Sequence, residues 1–267
     1  MRIDEAEGSR EPAAGRSSAA RWRAVGASVR GKGHERNGTA CQDAHSWWVT
    51  PEGYLLAAIA DGAGSAPHAD VGAALAAETA VQRLPLHPLP QTDLQWRLAL
   101  ERSLREAQDA VRAEAARRRV SPADLASTLI VLVATPDLVA AAQVGDGAVI
   151  LGDAAGTPTA LTVPQSGEYA NETVFIVSPG GLEGAQLRVW HGRAAYLCAF
   201  SDGLQMLAMK MPDGTPHPPF FAPLFRFAGS FTDPEAARRQ LAGFLTSPRI
   251  SQRSDDDLTL LLAALTE

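Results

Sequence analysis

The chain has 267 residues, of which 46% are hydrophobic and 20% are charged, so it can bury a substantial core as a globular protein. Its formal net charge of -6 at pH 7 argues against broad electrostatic attraction to nucleic acid or to anionic lipid. No uninterrupted apolar stretch approaches the roughly 18 residues expected of a transmembrane helix, which argues against a membrane protein.

The cysteines and the first residues indicate a cytoplasmic protein. Cys41 and Cys198 lie far apart without metal-type spacing, and Cys198 falls in an apolar run, where it would act as a small buried hydrophobe. A reducing compartment is the simple interpretation. Residues 1–20 are polar, charged and small, without the apolar core of a signal peptide. We therefore expect a disordered lead-in there and one domain at 21–267.

Short apolar runs bounded by Gly, Pro or Asp predict many strands. A glycine-rich basic loop, 30–38, follows the first, and a turn at 50–53 joins the next two as a hairpin. Asp43 would lie near the start of one arm of this hairpin and Asp61 at the end of the other. The strands are predicted at 22–29, 47–49, 54–60, 128–134, 138–144, 148–151, 159–163, 187–190, 194–200 and 258–263.

Two helical blocks interrupt the strands. Alanine-rich segments and apolar residues at spacings of three and four predict these helices. A proline-rich loop reaching residue 219 would separate the third helix from the fourth. The alternation of blocks predicts helices packed outside stacked sheets. The helices are predicted at 69–84, 93–119, 204–209, 223–227 and 234–245.

The polar, turn-rich segment 164–184 is predicted to form a flap beside a site. Glu168, Asn171 and Glu172 in this segment are either close to a substrate or only turn and cap residues. The residue types alone favour neither alternative.

One apolar run, Leu55 to Ala60, ends abruptly on Asp61, which Gly62 and Gly64 follow closely. The run is long enough for one buried strand, which would hold the aspartate rigidly at a sheet edge. The two glycines allow the backbone to come close to whatever the aspartate binds.

Five aspartates, Asp43, Asp61, Asp146, Asp202 and Asp256, each lie at an end of a predicted strand. Packed sheets can bring strand ends together, but clustered carboxylates repel one another unless divalent cations compensate them. All-oxygen ligands favour Mg²⁺ or Mn²⁺ over zinc. Two such ions about 3.5–4 Å apart can activate a water and neutralise a phosphoryl group. Any one of these aspartates alone is more simply part of a turn, for which Asp-Gly is the commonest chemistry, but five at strand ends together favour a metal site.

In chain order, six short motifs resemble those of the metal-dependent protein phosphatases of the PP2C (PPM) type. The resemblance covers roughly residues 22–265 and is highly specific as an ordered set. Further motifs, at 33–34, 42–44 and 167–173, are similar to a bacterial subgroup of the family. The six motifs are Gln42-Asp43, Ala60-Asp61-Gly62-Ala63-Gly64, Ser127-Thr128, Val144-Gly145-Asp146-Gly147, Phe200-Ser201-Asp202-Gly203-Leu204 and Asp256-Asp257-Leu258-Thr259.

The resemblance implies an α+β fold, a four-layer α-β-β-α sandwich of mostly antiparallel sheets with a binuclear Mn/Mg centre at one end. By position, Asp61 would bridge both metals and the Gly62 carbonyl would bind one of them. Asp202 and Asp256 would complete the other, and Asp43 matches the acidic residue of the first motif. These four aspartates are the implied catalytic set.

Two further positions are candidate metal ligands. Asp146 matches the residue that the family associates with an additional, weaker metal. Gln42 stands where the family often has Glu, and its amide oxygen can ligate but brings no charge. Met206 stands where many members have an acidic residue for a third metal, so the resemblance implies two ions and leaves the third open.

The chain departs from the family pattern in the basic loop and after Asp61. These departures leave open which residue binds the phosphate and which group protonates the leaving group. Gly38 replaces the phosphate-binding Arg that many members have, and Lys32, His34 or Arg36 in the same loop could supply the cation. Arg36 has the better phosphate geometry. Some members have a His where Ala63 stands, to protonate the leaving group. His68, His34 or a metal-bound water is the alternative here, although His68 alone is more simply an exposed loop residue.

The resemblance implies hydrolysis of phosphoserine or phosphothreonine on proteins by a metal-bridging water, without a covalent phosphoenzyme. A Ser/Thr kinase is the expected opposing partner, because bacterial relatives of this kind often act opposite one. The departures at Gln42, Gly38 and Met206 favour an alternative, a catalytically weak module that binds phosphoproteins or a partner. Action on a small-molecule phosphoester is a third possibility.

Overall fold

The computed structural model describes residues 20–84, 86–165, 173–210 and 213–267. The strands are β1 Arg21–Val29, β2 Asp43–Val49, β3 Leu55–Asp61, β4 Leu129–Ala134, β5 Leu138–Val144, β6 Ala148–Gly152, β7 Pro158–Ala160, β8 Gln186–His191, β9 Tyr196–Phe200, β10 Met209–Lys210, β11 Thr215–Pro216 and β12 Leu258–Thr266. The helices are α1 Lys32–Asn37, α2 Ala69–Arg83, α3 Asp93–Arg118, α4 Gln205–Ala208, α5 Pro218–Ser230, α6 Pro234–Leu245 and α7 Pro248–Ser251, with 3-10 turns at Pro122–Leu125 and Asp202–Leu204.

Two five-stranded sheets form the centre of the molecule. The first has the order β2-β3-β4-β5-β8 and the second the order β1-β12-β9-β6-β7, and every pair within them is antiparallel. A short hairpin pairs β10 with β11. Because side chains alternate along a strand, Leu55, Ala57 and Ile59 of β3 face the second sheet, where they pack with Leu197 and Leu261.

Helices cover the outer face of each sheet. The other side of β3, which includes Leu56, packs in one cluster with Ala76 of α2 and Leu104 of α3. On the second sheet, Phe200 packs in a separate cluster with Phe221 of α5 and with α6. Three stacked apolar clusters therefore separate four layers in the order α-β-β-α, which confirms the predicted fold class.

Several element bounds differ from the prediction, for example at the strand predicted at 159–163, and two differences change the kind or the extent of an element most. The loop predicted at 30–38 contains the short helix α1, which ends at Gly38 with a φ of 68°. The prolines up to residue 219 predict a loop, but Pro218 and Pro219 instead begin α5. Proline fits there because the first positions of a helix need no backbone N–H donor. Helix α5 is therefore longer than the predicted 223–227.

Two predictions fall on parts of the chain outside the described residues. One is the lead-in, of which only residue 20 is described, and the other concerns Glu168, Asn171 and Glu172 of the flap. None of the helices in the described ranges combines the length and the apolar character that a membrane crossing requires.

Candidate metal centre

Three carboxylates from both sheets meet at one end of the sandwich. Asp61 ends β3, Asp146 lies in the turn between β5 and β6, and Asp202 directly follows Ser201 after β9. One oxygen of each lies within 4.8 Å of the others. The structure therefore brings together three of the five aspartates that the sequence places at strand ends, at a spacing that one cation can span.

Asp43 lies behind this group and is tied to the second sheet. It stands opposite Asp61 in the register of β2 and β3 and is only 7% exposed. Its Oδ2 accepts a hydrogen bond of 2.7 Å from the Ser201 hydroxyl, which in turn accepts the backbone N–H of Thr259 at 3.0 Å. The end of β9 and the start of β12 thus fix the position of this carboxylate.

Burial makes the negative charge of these carboxylates costly. It is the main cause that raises the pKa of Asp43 to about 7, against hydrogen bonds from Ser201 and Thr259 that lower it. Burial also raises the pKa of Asp202 to about 6. The pKa of Asp61 is raised well above its ordinary value, first by burial and then by the charges of Asp43 and Asp202. A cation would relieve this mutual repulsion.

Three buried amide and carboxylate oxygens in this region lack a hydrogen-bond donor among the described residues: Gln42 Oε1, Asp43 Oδ1 and Asp202 Oδ1. Buried acceptors of this kind ordinarily have a partner, and an ion is one of the partners that can satisfy them. Oxygen donors are the ligands that Mg²⁺ and Mn²⁺ prefer. The donor set therefore fits a hard divalent cation.

Asp146 and Gly62 complete the immediate surroundings of Asp61 and Asp202. The Thr173 hydroxyl donates to Asp146 Oδ2 at 2.8 Å, and burial is the main cause that raises the pKa of Asp146. Gly62 donates its N–H to the Gln42 carbonyl at 3.1 Å. A Cβ at Gly62 would lie 2.7 Å from that carbonyl oxygen and 2.8 Å from the Cβ of Ala69. Only glycine allows this close approach of β2, β3 and the start of α2.

Asp256 lies at the rim of the group rather than inside it. It is exposed and is not one of the three mutually close carboxylates, although its charge contributes to the raised pKa values of Asp61, Asp146 and Asp202. Its Oδ1 accepts the backbone N–H of Asp257 at 2.8 Å.

The neighbouring Asp257 is part of the sixth motif, but the sequence gives it no role of its own. It is 2% exposed and accepts the backbone N–H groups of Gly31 and Gln42 at 2.6 and 2.5 Å. Its Oδ2 also lies 2.9 Å from His34 Nδ1. Asp257 thus joins the start of β12 to both ends of the segment between β1 and β2. A carboxylate directly before a largely apolar strand is the signal in the sequence that could indicate this role.

The three basic-loop residues proposed to bind phosphate have different surroundings. His34 contacts Asp257, whereas Arg36 forms an exposed ion pair with Asp255 at 3.1 Å. Lys32 lines a small cavity of about 70 Å³ together with Asp256. Phosphate binding by this loop stays a prediction.

A buried polar chain that the sequence did not indicate leads away from Asp43. The Ser28 hydroxyl lies 2.8 Å from His45 Nδ1 and 2.6 Å from the Thr259 hydroxyl. The Thr259 hydroxyl in turn lowers the pKa of Asp43, against the effect of burial. Burial is the main cause that lowers the pKa of His45. This chain connects β1, β2 and β12 directly behind the carboxylates.

Known proteins are similar to this chain in sequence and in fold. The profile of the family described as protein phosphatase 2C matches residues 30–246. Serine/threonine-protein phosphatase 3 of Escherichia coli (strain K12) is 36% identical over 256 residues, which cover 92% of this chain and 99% of that protein.

Two solved structures show the likeness of fold. PppA, described as a key regulatory component of T6SS in Pseudomonas aeruginosa, superposes with a TM-score of 0.62 at 21% identity, covering 92% of this chain and 98% of that one. RsbX in complex with magnesium superposes with a TM-score of 0.53 at 16% identity, covering 92% and 96%.

Proposed function

Because the chain belongs to the protein phosphatase 2C family, we propose that it is a metal-dependent hydrolase of phosphoserine and phosphothreonine in proteins. The observation that supports this most is the group formed by Asp61, Asp146 and Asp202, with one oxygen of each within 4.8 Å of the others. The unsatisfied buried oxygens of Gln42 and Asp43 beside it add to the case for a cation.

Mn²⁺ or Mg²⁺ is the proposed metal, since every candidate ligand is an oxygen. Two such ions held by these residues would supply an activated water and positive charge beside the phosphoryl oxygens. We assign Asp61 and the Gly62 carbonyl to the centre of the site, with Asp202 and Asp256 beside them. Asp43, Gln42 and Asp146 are the remaining candidate ligands.

The chain's own residues hold this set in place before a metal arrives. Ser201 orients Asp43, and the backbone N–H of Asp61 is held by the Thr128 hydroxyl at 3.0 Å. Such fixed ligands lose little conformational freedom when they bind an ion. Lys32, His34 and Arg36 remain the proposed source of the cation that contacts the phosphate. Ala63 cannot donate a proton, so the leaving group needs another acid.

We propose the cytoplasm as the compartment and a Ser/Thr kinase as the opposing activity. Both cysteines are free, and Cys198 is fully buried, which suits a reducing environment. The kinase follows from the proposed reaction, because a phosphoserine phosphatase needs an enzyme that supplies its substrate.

The direct test is hydrolysis of p-nitrophenyl phosphate and of a phosphoserine peptide by the full chain, with Mn²⁺, Mg²⁺ or a chelator. We expect activity only with metal and a loss of about 10²-fold or more in kcat for Asp61→Asn or Asp202→Asn. Asp109→Asn, an exposed carboxylate on α3, is the control with unchanged activity. Activity that persists without metal would contradict the proposal, whereas tight Mn²⁺ binding without turnover would favour the regulatory alternative.

A further inference from the structure

An open cleft of about 460 Å³ is lined in part by residues a few positions away from Asp202 and Asp256 in the sequence. Helix α4 forms one wall, the start of α5 forms the second, and the segment from α7 to the residues before β12 forms the third. Met206, His217, Phe220, Arg249 and Arg253 are the lining residues that bear on its chemistry.

Two walls of the cleft are direct continuations of the segments that carry Asp202 and Asp256. Met206 follows Asp202 by four residues, and Arg253 precedes Asp256 by three. Since a chain extends at most about 3.6 Å per residue, the Cα atoms of Arg253 and Asp256 lie within about 11 Å of each other. A Cβ at Gly203 would lie 2.2 Å from the Asp257 carbonyl oxygen, so these two segments are in direct backbone contact.

The charge of the cleft differs from that of the whole chain. The protein carries a formal net charge of -6, yet the lining includes Arg249 and Arg253 and no Asp or Glu. In the described part of the chain, neither guanidinium forms an ion pair or a hydrogen bond. Two unpaired arginines next to a cleft attract carboxylates or phosphates.

Besides the two arginines, His217 and Gln252, the lining residues are apolar. The Met206 side chain is 75% exposed, and Phe220 is half-buried in the adjoining wall. An exposed methionine adapts to many apolar partners, because its side chain is unbranched and flexible. The cleft therefore combines an apolar contact with two free cations.

We propose that this cleft binds the residues that flank the phosphorylated residue in an acidic segment of the phosphoprotein substrate. Carboxylates of that segment pair with Arg249 and Arg253, and an apolar side chain packs against Met206 and Phe220. An extended peptide advances about 3.3 Å per residue, so the acidic residues lie about three to five positions from the phosphoserine. This inference rests on the proposed function and assigns the substrate class of the same site.

The test compares kcat/KM for phosphoserine peptides of equal length with acidic, neutral or basic residues three to five positions before or after the phosphoserine. For the wild-type chain we expect an acidic peptide to exceed the basic one on the order of tenfold at low ionic strength, mainly through KM, and less at high salt. Arg249→Ala/Arg253→Ala should reduce this ratio to near one, while Arg249→Lys/Arg253→Lys retains part of it.

The matched control removes the same charge elsewhere, with Arg97→Ala/Arg102→Ala on the exposed face of α3, and should leave the ratio unchanged. A wild-type ratio near one, or one that survives in the Arg249→Ala/Arg253→Ala variant, would overturn the inference. So would arginine-dependent binding to phosphatidylserine vesicles or to RNA in place of acidic peptides. Absence of hydrolysis of every substrate, p-nitrophenyl phosphate included, would overturn the proposed function itself.

Discussion

Asp43 and Asp61 stand directly opposite each other in the antiparallel register of β2 and β3. Like charges at facing positions of neighbouring strands destabilise a sheet, and burial raises the pKa of both groups. The hairpin thus carries an electrostatic cost in the free protein that a bound divalent cation would remove. Metal binding should therefore change the free energy of unfolding, so that unfolding measurements also report on metal binding.

Without metal, the protein should become less stable as the pH rises from about 4 to about 7. The folded Asp43 keeps its proton up to a pKa of about 7, whereas the unfolded chain releases it near the ordinary value of 3.8. In that interval the folded state binds more protons, so the free energy of unfolding falls with increasing pH. We expect Asp43 to contribute a fall on the order of 2 kcal/mol in urea unfolding of the metal-stripped protein.

Two comparisons isolate this effect. Asp43→Asn should make the pH dependence shallower without abolishing it, because the raised pKa values of Asp61, Asp146 and Asp202 act in the same sense. Saturating Mn²⁺ should reverse the loss in the unaltered protein, since an ion that binds only the folded state stabilises it. His45 acts in the opposite sense, because its lowered pKa adds stability as the pH rises through its titration. An Asp43→Asn protein with the same pH slope as the unaltered protein would refute the assignment to Asp43.

Gly62→Ala should impair both folding and metal binding. The added Cβ would lie 2.7 to 2.9 Å from the Gln42 carbonyl oxygen and from atoms of Ala69, so β3 or α2 must shift. Overpacking of this kind costs about 1–3 kcal/mol, which urea unfolding would measure. Gly64→Ala is the matched control, because nothing lies within 4 Å of its added Cβ. Equal stability of the two variants would show that the close approach at Gly62 has no structural role.

Asp257→Ala should be strongly destabilising, although Asp257 is not a proposed metal ligand. Its removal leaves the buried N–H groups of Gly31 and Gln42 without their acceptor and separates His34 from β12. We expect a loss of about 3–5 kcal/mol in the free energy of unfolding. Asp255→Ala, two residues away, removes only an exposed ion pair with Arg36 and should leave the denaturation midpoint nearly unchanged. Similar midpoints for the two variants would contradict the buried role of Asp257.

Local patterns were sufficient to predict the sheets and the hairpin. Alternating or continuous apolar runs ending at Asp-Gly placed Asp61, Asp146 and Asp202 at strand ends, and the sandwich brings these three together. The α+β class, its four layers and the family are confirmed by the two sheets and by the similarity to known phosphatases.

Contacts between distant segments were not predictable in the same way. Asp255, Asp256 and Asp257 are chemically identical neighbours, and only the packing of the segment after β1 against β12 buries the third of them. The same contact holds helix α1 in place, although the composition of residues 30–38 predicts a loop there. A prediction from single residues cannot include such long-range partners.

The most direct test of the metal centre is a crystal structure of the full chain with Mn²⁺, in which anomalous scattering locates each ion. The proposed site predicts two ions that both contact the Asp61 carboxylate, with Asp202 and Asp256 among the remaining ligands. Manganese bound only elsewhere, or an Asp61 carboxylate without a bound ion at saturating Mn²⁺, would contradict it.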